Sequence, residues 1–168
     1  MGDIAKAAGI SRQAVYLHFA SRAELLEATT RYRDELLDLD RRLAPSRAAD
    51  SGVERLALYI EFWGHYIPEI YGVGKALLLA QDTDEAAAAA WKDRMLAMRD
   101  GCRAAIEALH ADGTLAPQWT PKSATDALWT MLLVPNWENL TIECGWSTQQ
   151  YIRSMKTLVK RAFVEESE

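Results

Sequence analysis

Arg12 and Gln13 stand side by side just behind Ser11, a residue type that readily caps a helix N-terminus. Arginine can donate a paired hydrogen bond to guanine O6 and N7, and glutamine can bond adenine N6 and N7 in the same two-point manner. Both fall in the first turn of the helix that Ser11 would start, where side chains can meet base edges end-on. Ala14 beside them is small enough to meet a thymine methyl group. Tyr16 and His18 have polar tips suited to phosphate oxygens, contacts that fix register without reading sequence. Plainer readings stay open at these positions: Arg12 and Gln13 as solvated surface, Tyr16 as partly core, His18 as a cap on a local carbonyl. Arg22 follows Ser21, a second capping residue, and can meet a phosphate together with the free N–H groups of that helix start.

Two short helices must hold these groups outward. Ile4, Ala5, Ala8 and Ile10 recur at helical spacing, and Gly9 can take the positive φ that ends a helix in a tight turn. After Ser11 a new helix is predicted from Arg12, with Val15 and Phe19 inward at i and i+4. Helix, glycine turn and polar-tipped helix together make a helix-turn-helix, whose second helix enters the DNA major groove.

Other chemistries find little support. His18, His65 and His110 are scattered, with no H-E-x-x-H and no glycine-rich phosphate loop, so no catalytic or metal site is expected. Cys102 and Cys144 lie far apart without a C-x-x-C, which suggests neither zinc nor a disulfide framework and fits a reducing, cytoplasmic setting. No cofactor is expected. No apolar run approaches the ~20 residues needed to cross a bilayer, so no membrane partner is expected either. The net charge of −5 argues against a nucleic-acid binder, but its distribution does not. Lys6, Arg12, Arg22, Arg31 and Arg33 outnumber Asp3, Glu24 and Glu27 in the first 33 residues, leaving an acidic body behind a mildly basic head.

Ile4-Ala5, Ala8-Gly9-Ile10-Ser11, Val15-Tyr16, His18-Phe19 and Arg22-x-Glu24-Leu25-Leu26 resemble the N-terminal signature of TetR-type transcriptional regulators. The resemblance implies DNA contacts from Ser11, Arg12, Gln13, Ala14, Tyr16, His18 and Arg22. It also implies an all-α fold in which a helix-turn-helix head, residues 1–44 with the connecting helix, sits on a ligand-binding and dimerisation body, residues 50–168. Members carry a further helix before this point. The chain begins at Met1-Gly2-Asp3, already in the first helix of the motif, so that first family helix is expected to be missing. The implied function is a homodimeric regulator, a repressor released from a near-palindromic double-stranded operator by a small apolar or aromatic ligand. A helical ligand-binding or interaction protein that has lost DNA binding with the missing helix is the alternative.

The rest of the chain reads as helix throughout, with no strand alternation. Ser21-Arg22-Ala23-Glu24 forms a capping box, and its helix is predicted to run through Leu36 and Leu43 to a stop at Pro45. A domain boundary is expected over 44–52. A helix from about Val53 to Tyr66 should break at Pro68, followed by a segment bent near Gly72 and Gly74, a candidate moving element. Asp82 to Glu85 should open a long helix reaching Asp112-Gly113. Thr120-Pro121 should start another, toward Gly145, kinked at Pro135. Ser147 to Gln150 caps the last.

Six tryptophans are many for 168 residues. Tyr59, Phe62, Trp63 and Tyr66 lie within two turns; Trp91, Met95 and Met98 recur at i, i+4, i+7; Trp129, Leu133 and Trp137 at i, i+4, i+8. Such faces can form plain core or enclose an apolar pocket, with His65, Arg99 and Asn136 as orienting polar groups. The predicted ligand set is Tyr59, Trp63, Tyr66, Trp91, Met95, Met98, Trp129, Leu133 and Trp137. On the last helix Tyr151, Met155, Leu158 and Ala162 form one stripe, and Ile152, Val159 and Phe163 a second. A helix apolar on two sides is either deeply buried or shares a partner. By the resemblance, the last two helices pair across a two-fold axis, with Tyr151, Ile152, Met155, Leu158, Val159 and Phe163 at the dimer interface. Two heads would then meet major grooves about 34–36 Å apart.

Overall fold

Gly9 adopts φ 67°, and Ser11 Oγ accepts from the Ala14 N–H at 3.0 Å, so the first turn and the first cap form where the residue types demand them. The computed structural model describes residues 1–165, and its regular elements are all helices. They are α1 (Gly2–Ala7), α2 (Arg12–His18), α3 (Arg22–Leu36), α4 (Leu39–Arg47), α5 (Gly52–Ala80), α6 (Glu85–Ala111), α7 (Pro121–Met131), α8 (Val134–Glu138) and α9 (Thr148–Phe163). A π-helical turn spans Asn139–Glu143 between the last two. In the head, Ala5 and Val15 are buried and Phe19 is half-buried. Of the apolar stripe that includes Ala5, the residues Ile4, Ala8 and Ile10 lie exposed.

Several expected helix limits are corrected. The run from Ser21 toward Leu43 is two helices, since Asp38 takes a left-handed conformation at φ 51° that short polar side chains tolerate. Pro45 does not stop α4, which continues to Arg47; Ser46 Oγ then donates to the Arg55 carbonyl at 3.0 Å and ties α4 to α5. The turn after α4 falls inside the expected 44–52 boundary. The last three residues of the second expected unit lie outside the described residues.

Neither Pro68 nor the Gly72–Gly74 pair interrupts α5, a single helix of 29 residues. An interior proline costs about 3 kcal/mol. Burial of Leu56, Ile60, Trp63 and Ile67 before it, and of Leu77 beyond it, holds the helix together across the lesion. Asp84 Oδ1 accepts from Ala86 and Ala87 N–H at 3.0 and 3.2 Å to start α6. The inner face of α6, with Met98, Cys102, Ala105, Ile106 and Leu109, packs on α5.

The predicted kinked helix beyond Thr120 is also split. α7 ends at Met131, and Pro135 sits in the first turn of a new helix, where a missing N–H costs nothing. On α9, Tyr151, Ile152, Met155, Val159 and Phe163 are all buried within their own chain. Five of the six residues expected at a dimer interface therefore serve the monomer's core. Only Leu158, 49% exposed, faces out. The end of α9 is pinned by Ala116 N–H donating to the Phe163 carbonyl at 2.9 Å and Trp119 Nε1 donating to the Ala162 carbonyl at 2.7 Å. Among the described residues no helix is long and apolar enough to cross a membrane.

Candidate DNA-reading head and ligand cavity

Six of the seven residues expected at DNA are open to solvent. Ser11, Arg12, Gln13, Tyr16, His18 and Arg22 are exposed, and Ala14 is half-buried between them. Arg12 rests over the Tyr16 ring at 5.6 Å, a cation–π contact that holds the guanidinium near the helix tip without consuming its donors. Ser21 Oγ accepts from the Glu24 N–H at 3.1 Å, so α3 begins with a capped, outward-facing turn. Arg22 has a second engagement: it is ion-paired to Asp84, the N-cap of α6. The arginine bond and the backbone donors of that cap hold the Asp84 carboxyl below the usual carboxylate range.

Further along α3, the ties to the body multiply. Arg31 pairs with Asp93 at 2.7 Å, and the Asp34 carboxylate accepts from both Arg94 of α6 and the Tyr66 hydroxyl of α5. Arg94 also bonds Asp93, so α3 is fastened to α6 by a small network and not by a single pair. Burial, with the Asp34 carboxylate second, pushes the Tyr66 hydroxyl well above its ordinary pKa, so it donates at neutral pH.

Behind this network lies a cavity of about 140 Å³ between α3, α5 and α6. The structure brings Tyr59, Trp63, Tyr66, Trp91, Met95 and Met98 of the predicted set to its wall, with Phe62, Ile70, Val73 and Leu77 added. Tyr59 is fixed by donating to the Met98 carbonyl at 3.1 Å, and Gly101 leaves room for it: a Cβ there would stand 2.6 Å from its hydroxyl. Trp63 donates from Nε1 to the Leu132 carbonyl at 2.9 Å.

Trp129, Leu133 and Trp137 are not at this cavity. The break after Met131 destroys the i, i+4, i+8 register that would have aligned them. Trp137 instead packs on Tyr71 with ring centroids 5.1 Å apart, Trp129 lies under Arg99 at 5.9 Å, and Leu133 caps α8. The expected polar tips are elsewhere too. His65 is exposed, Arg99 pairs with Asp126, and Asn136 donates to the Thr130 carbonyl at 2.6 Å. The polar lining comes from Thr30, Arg33, Asp34 and Arg94, which sequence reasoning missed. One signal was available: Leu26, Thr30, Arg33 and Leu37 fall at i, i+4, i+7 and i+11, so charge interrupts an otherwise apolar face. Among the described residues no three His, Cys, Asp or Glu side chains converge as metal ligands.

Residues 1–29, which hold the capped turn and both short helices, match the family described as bacterial regulatory proteins, tetR family. Over those residues the head is of the TetR type. Among solved structures it is similar to a transcriptional regulator from Saccharomonospora viridis in complex with choline, at 18% identity and TM-score 0.73, covering 98% of this chain and 86% of that one. It is also similar to a TetR-family regulator from Rhodococcus sp., at 22% identity and TM-score 0.70, over 96% and 85% of the two chains. The ketosteroid regulator KstR2 of Mycobacterium tuberculosis aligns at 21% identity and TM-score 0.52, over 98% and 84%. At these identities the likeness speaks for the all-α fold alone. Among curated proteins none matches.

Proposed function

We propose that this TetR-type chain is a ligand-responsive DNA-binding regulator whose cavity controls the pose of its head. The observation that carries the reading is the position of α3. One end of this helix begins in the head at Arg22, and its middle supplies Thr30, Arg33 and Asp34 to the cavity wall. A molecule that alters the wall must act on the helix that bears the head, and it can shift the equilibrium between head poses by its differential affinity for them.

In this reading Arg12, Gln13 and Ala14 meet base edges, while Ser11, Tyr16, His18 and Arg22 meet phosphates. Arg22 then has two partners to choose between, Asp84 and a phosphate, so the head–body tie and the DNA contact draw on the same guanidinium. Two heads on a near-palindromic operator require a homodimer. Its contact involves the outer faces of the last helices, where Ile142 and Leu158 remain exposed, and not the buried face of α9. The ligand is a small, largely apolar molecule that releases the operator, which makes the protein a cytoplasmic repressor.

The test is selection of bound duplexes from a randomised library at two salt concentrations, followed by titration of one-ring compounds against the selected complex. Enrichment of a two-fold-related sequence that persists at the higher salt supports the reading, because nonspecific phosphate binding fades steeply with salt. Recovery of no sequence at either salt would leave a helical ligand-binding protein without DNA recognition.

A further inference from the structure

Arg33 is the odd group in the cavity. Its Nη2 donates to the Glu69 backbone carbonyl, but its Nε is buried and has no hydrogen-bond partner. None of the ion pairs among the described residues includes it. The other charges at this wall, Asp34 and Arg94, and the carboxylates Asp93 and Glu69 beside it are already matched. Asp34 accepts from Arg94 and Tyr66, Asp93 accepts from Arg31 and Arg94, and Glu69 accepts from Arg42 at 2.7 Å. Arg33 is half-buried at the cavity wall, but an Nε–H cut off from solvent with no partner is costly, and an acceptor bearing negative charge relieves that cost best.

The cavity sets the size of what can supply it. At about 140 Å³ it is close to the engineered apolar cavity of ~150 Å³ that holds benzene. Aromatic and thioether walls from Tyr59, Trp63, Trp91 and Met95 suit one ring or a short branched chain. A cation would need to win Asp34 from Arg94, whereas an anion meets an open donor.

We infer that the cavity takes a small aromatic or branched carboxylic acid, its apolar part among Tyr59, Trp63, Trp91 and Met95 and its carboxylate on Arg33 Nε–H. The inference rests on the ligand-responsive reading above and names the ligand class for it. Because the acceptor would bind α3 itself, occupancy acts directly on the helix that carries the head.

Binding of benzoate, toluene and benzylamine to the full chain, followed by tryptophan fluorescence and calorimetry, tests it. Benzoate is expected to bind at least about tenfold more tightly than toluene, the gain of one charge-assisted hydrogen bond. Arg33→Gln should bring benzoate down to the toluene level and leave toluene unchanged, while Arg33→Lys should retain part of the preference. Toluene or benzylamine matching benzoate on the unaltered chain overturns the acid class while leaving the cavity as a binding site. Failure of all three compounds to bind overturns the ligand-responsive reading itself. Should Arg33→Gln fail to fold, the ranking on the unaltered chain still decides.

Discussion

Replacing Asp34 by Ala should loosen the joint between head and body by an amount the geometry sets. Asp34 and Arg94 are 19% and 20% exposed at their side chains, so solvent screens their pairing only in part. Arg94 keeps Asp93 after the substitution, and the full 3–5 kcal/mol of an orphaned buried charge is therefore not reached. What is orphaned is the Tyr66 hydroxyl, on a residue 3% exposed, and an unmet buried donor costs about 1–3 kcal/mol. A loss of about 2 kcal/mol follows, which for a chain of this length lowers Tm by roughly 4–8 °C. Urea unfolding at neutral pH, followed by helical circular dichroism, measures it directly. Tyr66→Phe alone should cost about 1 kcal/mol or less, and the double variant should be less destabilised than the sum of the two, because it leaves no hydroxyl without an acceptor. An Asp34→Ala stability within about 0.5 kcal/mol of the parent chain, or strict additivity in the cycle, would refute the argument that this carboxylate joins α3 to both α5 and α6.

Two further outcomes follow from the titratable groups. Glu61, Asp84, Asp93, Asp126 and Glu138 are all held below ordinary carboxylate pKa values, first by side-chain hydrogen bonds from Lys156, Arg22, Arg31, Arg99 and Lys75 respectively. The folded chain thus binds these protons less readily than the unfolded one, and the stabilisation is complete above about pH 4.5 and lost as acid reaches the depressed values. The urea midpoint should fall between about pH 5 and pH 3; a flat midpoint there contradicts the pairing. Iodoacetamide near pH 8 should label exposed Cys144 and spare Cys102, whose thiol burial pushes up to about 12; equal labelling in the folded chain contradicts that burial.

The head was legible in the sequence because its signals are local. A positive-φ glycine, a serine cap and a polar first turn need no distant partner, and Gly9, Ser11 and Arg12 adopt the predicted conformations. The long helices were less legible where local rules yield to packing. Pro68 reads as a break, yet Ile67 and Leu77 on either side are buried against the body and keep α5 whole. The reverse holds after Trp129, where an attractive register hid the break at Leu132. Four of the five aromatic residues in the cavity wall, all but Phe62, could be placed in the ligand set from helical spacing. Its polar lining could not, because Asp34 and Arg94 resemble solvated surface charges until folding brings together residues 60 positions apart in sequence. The burial of α9 was ambiguous for a related reason: two apolar stripes on one helix fit a shared interface and a deeply buried helix equally well. Within the single chain, the connection between α6 and α7 bonds the end of α9 through Ala116 and Trp119 and holds one stripe in the core.

The central claim is that the outward tip of α2 reads bases, and the most direct measurement is sequence preference with and without its two readers. A duplex selected by the parent chain should be bound over a scrambled duplex by a margin that collapses in the Arg12→Ala/Gln13→Ala chain, each lost paired contact removing about 1–3 kcal/mol of discrimination. Low-salt binding to any duplex should persist, since the phosphate contacts remain. An undiminished preference in the doubly substituted, folded chain would contradict the account.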